Sequence, residues 1–498
     1  MYKKQLVIIF LFLFFISYAQ NEFITLWKPN VNGTIDNAIS FGGTGTDYTI
    51  SWEEVGYPQH NGVLSSVTSN SSSFTTISFG TSLHTNPIQA TYKVKVSNGN
   101  GLFYGFRGSP YMHASGNPEL FEVSQWGDTV WLQQFSQGFA DCPNLNVTAT
   151  DTPNLTQINN VSQMFSNCPS LIGNDSFSNW NTSTITTMNG MFNRATLFNQ
   201  NIGTWNTAKV TDFGNMFSYA SAFNQNISTW NTSSGSNFYS MFQDALAFNQ
   251  PLNSWNTNNA TNFSYMFSNA KSFNQPLSNW NTSKVTSFQQ MFTNAVAFNQ
   301  PIGNWDVSKV NDPYGFMMFN GALLFNQDIS AWNIKFQNIY SNSVNFGFKN
   351  SGLSCINYNK FLIAISNNPT WASSGLTSGS IDATGLIYST SQTIMARAQL
   401  VNKGFNIIGD TYNASCNSNL STAETTKQVK TQAYPNPTTG VITVDATANE
   451  NVYLYDITGK LIKNITLNKG SNRIDLTNYP SGNYLLKGNT IFTKIVKN

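Results

Sequence analysis

Trp180, Trp205, Trp230, Trp255, Trp280 and Trp305 recur at intervals of 25 residues, and Trp332 follows after 27. Two further motifs keep the same beat. Met-Phe pairs stand at Met191-Phe192, Met216-Phe217, Met241-Phe242, Met266-Phe267 and Met291-Phe292, and Phe-Asn-Gln triplets begin at Phe198, Phe223, Phe248, Phe273, Phe298 and Phe325. Three motifs held in register are the signature of a repeat architecture. A unit this short cannot bury its own apolar face, whereas stacked units bury theirs jointly. The expected fold is therefore mostly β with short helical turns: a right-handed solenoid whose coils pair through short strands at about 4.8 Å per rung. The strand is expected along Phe-Asn-Gln-x-Ile/Leu-x-x-Trp, with Pro251, Pro276 and Pro301 tolerated at its start. The preceding Thr-x-Met/Phe-x-x-Met-Phe-x-x-Ala stretch has helical spacing and is expected to form one or two helical turns.

In such a stack the tryptophans either fill the shared core or line up outside as a sugar-stacking strip. Their coupling to flanking Phe and Ile favours the core. Asn199, Asn224, Asn249, Asn274, Asn299 and Asn326 would superpose as a ladder of buried amides that satisfies backbone groups left over by the turns.

The flanks do not repeat. Lys3 and Lys4 precede an apolar run, Leu6 to Ile16, and Ser17-Tyr18-Ala19 supplies a small-x-small site. Residues 1–19 thus read as a secretory signal peptide, shorter than the ~20 residues of a membrane span. No later segment is apolar enough to cross a bilayer. Residues 20–115 alternate with strand period, as in Tyr48–Trp52 and Ala90–Val96, and read as a β-sandwich-like module. The solenoid is assigned to 116–340, its first coil starting at Ser124-Gln125-Trp126-Gly127. Residues 341–416, with amphipathic Asn357–Ser366 and Ser391–Lys403, are expected to cap its open end. Residues 417–431 read as a linker. Residues 432–498 read as a compact sandwich of about seven short strands with turns at Pro-Asn-Pro, Thr-Gly-Lys and Pro-Ser-Gly.

Cys142 and Cys168 stand 26 apart at equivalent repeat positions. That is roughly one rung, within the 4.4–6.8 Å that a disulfide accepts. They either bridge or stack reduced as small apolar residues. Cys355 and Cys416 would then bracket the cap. Neither arrangement has metal-site or redox spacing, and no metal or cofactor is expected. Charged residues are 10% of the chain and the net charge is +2, too few cations for phosphate-driven nucleic-acid binding. No Glu lies between Glu122 and Glu424, and no His follows His113, so the commonest general acids and bases are missing from the largest region. Asp212 and Asp312, which share a register, stand four rungs or about 19 Å apart, too far for a glycosidase pair. An enzyme is not expected.

Ser283–Trp305 and Ala208–Trp230 carry the pattern Ser/Ala-x-Val-Thr-x-Phe-x-x-Met-Phe-x-x-Ala-x-x-Phe-Asn-Gln-x-Ile-x-x-Trp, which resembles the repeats of BspA-like leucine-rich-repeat surface proteins. Phe139–Leu145 and Phe165–Leu171 resemble its Cys-x-x-Leu variant. The resemblance covers roughly residues 120 to 410 and implies a leucine-rich-repeat-like solenoid preceded by a β module. Tyr434-Pro435-Asn436-Pro437 with Gly440, Gly459-Lys460, Gly482, Tyr484 and Lys494 resemble the type A C-terminal sorting domain of the type IX secretion system of Bacteroidetes. That resemblance implies an Ig-like sandwich, partnership with the type IX machinery and an extracellular, outer-surface location. Two non-catalytic roles remain: an adhesion or interaction platform for a surface protein, or a carbohydrate-binding protein that reads glycans through Asn, Thr and aromatic side chains.

Overall fold

A computed structural model describes residues 21–31, 33, 35–108, 116–132, 135–417, 433–456, 461–488 and 491–498. The expected signal peptide and cleavage site, residues 418–431 of the expected linker, Gly459 and Lys460 lie outside them.

Parallel bridges tie each repeat to the next: Asn160 to Thr187, then on to Asp212, Asn237, Asn262 and Ser287. These rungs lie just before the Met-Phe stretch, not along Phe-Asn-Gln, which corrects the expected strand position. The Met-Phe stretch itself is a run of turns and not a helix. The cause is backbone handedness. Asn215 and Tyr219 in one coil, and Tyr265 and Asn269 two coils on, hold φ between 56° and 60°. A left-handed residue at every fourth position cannot sit in a right-handed helix. Amides there bond alternately within the turn and across to the next coil. Met216 N donates to Phe213 O at 3.2 Å, and Phe217 N to Met241 O at 2.9 Å.

The interior is built of aromatic columns. Phe192, Phe217, Phe242, Phe267 and Phe292 stack with centroids 5.6–5.8 Å apart and planes within 9°. Trp205, Trp230, Trp255, Trp280 and Trp305 form a second column at 6.4–6.5 Å. Trp180 joins it at 6.1 Å. All seven repeat tryptophans, Trp332 included, are buried, so a sugar-stacking strip of tryptophans does not exist. Each indole is also satisfied from Trp205 onward. Trp255 Nε1, for example, donates to Ile227 O in the preceding coil at 3.0 Å.

At the N-terminal end β1 (Phe23–Trp27), β3 (Gly43–Glu54), β4 (Tyr57–Ser69), β6 (Tyr92–Ser97), β8 (Leu120–Gln125) and β9 (Asn146–Val147) form a sheet in the order β4-β3-β6-β1-β8-β9. β7 (Leu102–Phe106) pairs with β3, and β2 (Ala38–Phe41) with β5 (Thr75–Ser78). The sheet runs past the boundary expected at 115. β8 is antiparallel to β1 on one edge and parallel to β9, in the first repeats, on the other. The module therefore hands its ladder directly to the coils, and one hydrophobic core runs from Phe23 to Phe405.

The cap continues the ladder. Phe316 bridges Phe346 in parallel. Strands Ser343–Gly347, Ser378–Asp382 and Phe405–Ile408 form a parallel sheet, with helices Cys355–Ser366 and Ser391–Asn402 between them. Cys355 and Cys416 are disulfide-bonded across this cap. Cys142 and Cys168 are not. Both thiols are fully buried, and each points at a backbone carbonyl: Cys168 Sγ at Phe139 O (3.0 Å), Cys142 Sγ at Ala140 O (3.6 Å). The suggested Cys142–Cys168 bridge is thereby corrected to a pair of stacked reduced thiols. Burial pushes Cys168 up to about 12 and Cys142 well above the usual range.

The C-terminal residues form a three-stranded and a four-stranded antiparallel sheet with an aliphatic core of their own, including Ile442, Val444, Val452, Leu454, Leu486 and Ile495. Leu485 and Tyr455 also pack on Val296 and Leu323 of the repeats, a contact between regions that a linker does not suggest. Among the described residues no helix is long and apolar enough to cross a membrane.

Candidate functional site

Two side-chain systems organise the outer surface of the repeats. The first is the asparagine ladder. Asn199 Oδ1 accepts from Asn224 N (2.9 Å), Asn224 Oδ1 from Asn249 N (3.0 Å), Asn249 Oδ1 from Asn274 N (2.9 Å), Asn274 Oδ1 from Asn299 N (2.9 Å) and Asn299 Oδ1 from Asn326 N (2.9 Å). Asn326 Oδ1 then accepts from Ser354 N, linking the ladder to the cap. Each neighbouring glutamine adds a second donor, as Gln250 Nε2 does to Asn224 Oδ1. The ladder satisfies turn backbone as expected of it, but it sits half-buried at the rim, with Asn199 exposed, and not in the interior. Its carboxamide oxygens are spent between coils, which makes the ladder scaffold.

The second system was not singled out from the sequence. A groove of about 370 Å³ crosses four consecutive coils, lined by Asn167, Pro169, Arg194, Thr196, Tyr219, Ser221, Asp244 and Leu246. Arg194, Tyr219 and Asp244 occupy equivalent positions, two residues after the Met-Phe pair, where neighbouring coils place Asn269 and Asn294. All five are left-handed, with φ of 56–60°. Asparagine tolerates that conformation readily, while Arg and Tyr do so at some cost. The Arg194 guanidinium lies over the Tyr219 ring, 4.7 Å from its centroid. Burial pushes the Asp244 carboxyl up, opposed by the Asn269 amide, Lys271 and Arg194. Thr196 and Ser221 donate their hydroxyls to carbonyls of the preceding coil. The groove thus offers a cation on an aromatic floor, an acid two coils away and an apolar edge at Leu246. Its one legible signal was Arg194, the only arginine between Arg107 and Arg397.

Asp212 accepts from Asn189 and Asn237, and Asp312 from Ser287. Both belong to the rung column. Among the described residues no three His, Cys, Asp or Glu side chains converge as a metal site.

The described residues of the C-terminal motif brace their own domain. Asn436 Nδ2 donates to Lys494 O (2.6 Å) while its Oδ1 accepts from Val496 N (2.8 Å), clipping the start of the domain to its last strand. Tyr484 donates its phenol to Pro480 O at 2.6 Å, and Tyr434 to Asp445 Oδ2 at 3.1 Å. Pro435 and Pro437 both follow cis peptide bonds. Gly440 packs against Thr477, and Gly482 adopts φ +156°.

A stack of coils carrying a small separate C-terminal β domain defines a repeat protein with a tail module. Residues 133–255, 203–295 and 237–351 match the family described as Mycoplasma protein of unknown function, DUF285. Residues 432–498 match the Secretion system C-terminal sorting domain. The tail marks the chain for secretion to the cell surface with involvement of the type IX machinery. No curated protein and no solved structure matches the chain.

Proposed function

We propose that this chain is a non-catalytic adhesion or interaction platform, displayed on the outer surface of a Bacteroidetes cell. In this reading the repeats are a right-handed, leucine-rich-repeat-like solenoid of the BspA-like kind, and the tail is an Ig-like sandwich. Parallel rungs at 25-residue intervals and the alternating strands and helices of the cap support the solenoid. The observation that carries the function is the groove across four coils, where Arg194, Tyr219 and Asp244 project charge and aromatic surface from positions that elsewhere hold asparagine. Such a surface fits a protein segment bearing an acidic and a basic side chain.

The test is an array of extracellular proteins probed with the full chain. Binding that falls at least tenfold in Arg194→Glu, and that recovers against an acid-to-base variant of the bound protein, supports the reading. Binding to no protein on the array sinks it. A second reading, glycan recognition, is favoured by a different observation: exposed tyrosines on the repeats, Tyr239, Tyr314 and Tyr340 among them.

A further inference from the structure

The rung column Asp212, Asn237, Asn262 and Ser287 is extended to Asp312, because Ser287 Oγ donates to Asp312 Oδ2 at 2.6 Å. Alongside this column the coils carry Tyr239, Tyr265, Tyr314 and Tyr340. Tyr239 is 38% exposed, Tyr314 49% and Tyr340 72%, while Tyr265 is half-buried. The Tyr239 and Tyr265 rings meet edge to face at 5.6 Å. Tyr340 follows one coil after Asp312, its amide donating to Asn311 O at 3.0 Å. Burial and the proximity of the Asp312 carboxylate raise the Tyr340 phenol. Asp312 Oδ1 accepts from Tyr314 N at 2.9 Å. Burial raises the Tyr265 phenol, with Tyr239 and Asp312 adding to the shift, and the Ser287 coil between Tyr265 and Tyr314 carries Gln289 and Gln290 in place of tyrosine.

We infer that this tyrosine strip around Asp312 is a binding site for a neutral polysaccharide chain. The inference rests on the second reading above and names its site. A pyranose has an apolar C–H face that stacks on the electron-rich face of a phenol ring, and hydroxyls at its edge that donate to a carboxylate. Tyr314 and Tyr340 flank the Asp312 carboxylate on the outside of the stack, with the Tyr239–Tyr265 pair further along the same face. Asp312 has no ion-pair partner among the described residues, so it repels uronates, sulfated chains and nucleic acid. A wholly apolar partner would strip water from it without returning a donor. The strip spans the rungs from Asn237 to the coil after Asp312, about 19 Å at the ordinary interstrand spacing. That length along the stack suits a chain of sugars better than a single one.

The experiment is affinity electrophoresis of the full chain through gels containing mannan, xylan, a mixed-linkage β-glucan or polygalacturonate, with choline as a soluble cationic competitor. Retardation is expected in at least one neutral polysaccharide and not in polygalacturonate, and choline should not relieve it. Tyr314→Ala and Tyr340→Ala should each weaken binding about tenfold. Because Tyr340 is largely exposed, its removal does not threaten the fold. Tyr340→Phe, which keeps the ring, should recover most of the loss, and Arg194→Ala should change nothing. Retardation that survives both tyrosine-to-alanine changes overturns the strip while leaving the glycan reading intact. No retardation in any neutral polysaccharide overturns both. Binding of polygalacturonate, or competition by choline, assigns the strip a charged ligand and overturns the proposal.

Discussion

In the repeats Phe242 touches its counterparts one coil back and one coil on, Phe217 and Phe267, at 5.7 and 5.6 Å. In the C-terminal domain Leu454 pairs with Leu486 on the neighbouring strand, and their core closes within a few dozen residues. The repeat core is open along its axis: each coil supplies a floor for one neighbour and a ceiling for another, so its stability is a sum over nearest neighbours. The C-terminal core has no axis to extend. One region therefore weakens locally when a contact is removed, and the other unfolds as a unit.

The sharpest way to break this comparison is to truncate one core at a time. Trp255→Ala should cost about 3–5 kcal/mol as a buried truncation, and Leu454→Ala about 2–5 kcal/mol. Followed by hydrogen exchange in urea, the first should expose coils around residues 227–280 while residues 433–498 stay protected. The second should do the reverse. Loss of protection throughout the chain in either variant would erase the distinction between the regions.

Reduction of Cys355–Cys416, which closes a separation of 61 residues, should lower the stability of the cap by about 2–4 kcal/mol. Exchange in the helix Cys355–Ser366 should accelerate first, and coils before Phe292 should be unaffected. Under the same conditions Cys142 and Cys168 should resist alkylation until the stack unfolds, since a buried, protonated thiol is a poor nucleophile. Asn249→Ala leaves the Asn274 amide and the Gln275 side chain without their acceptor, and should cost about 1–2 kcal/mol. A double change, Asn249→Ala with Asn274→Ala, should cost more than one rung but spread no further than the adjacent coils.

A further effect, set by pH and not by truncation, concerns Glu119, beside the start of β8. Burial, with Asp36 nearby, raises its carboxyl from 4.5 to about 7. The folded state holds this proton where the unfolded state has released it, so the contribution to stability is present below pH 4.5 and is lost as pH rises through about 7. Glu119→Gln should flatten the melting temperature across that window. An unchanged pH profile would remove the carboxyl from the account.

Much of the stack was legible because the signal is multiplied. Tryptophans at a constant spacing demand one column, and asparagines at a constant spacing demand one ladder. The position of the rungs was not legible, because the residues that turn the chain left-handed include Arg194, Tyr219, Ser240, Tyr265 and Gln290, none of which carries the turn signature of glycine. The cysteine pair had the right separation for a bridge, but its outcome depends on which way each thiol rotates. The groove and the tyrosine strip escaped notice for the opposite reason to the core. They are made by positions that differ from coil to coil, so periodicity averages them away.

The ladders also differ in direction. Amides of the Met-Phe turns point toward the C-terminal coils, as Phe217 N does to Met241 O, whereas the Phe-Asn-Gln amides and the indoles point back, as Asn249 N does to Asn224 Oδ1 and Trp255 Nε1 to Ile227 O. In an α-helix every peptide dipole points one way and about half a charge accumulates at each end. Here ladders of opposite sense run along the same stack of coils, so their dipoles work against one another as coils are added. The stack is thus unlike a helix in its electrostatics, and its full charges act where side chains such as Arg194 and Asp312 place them.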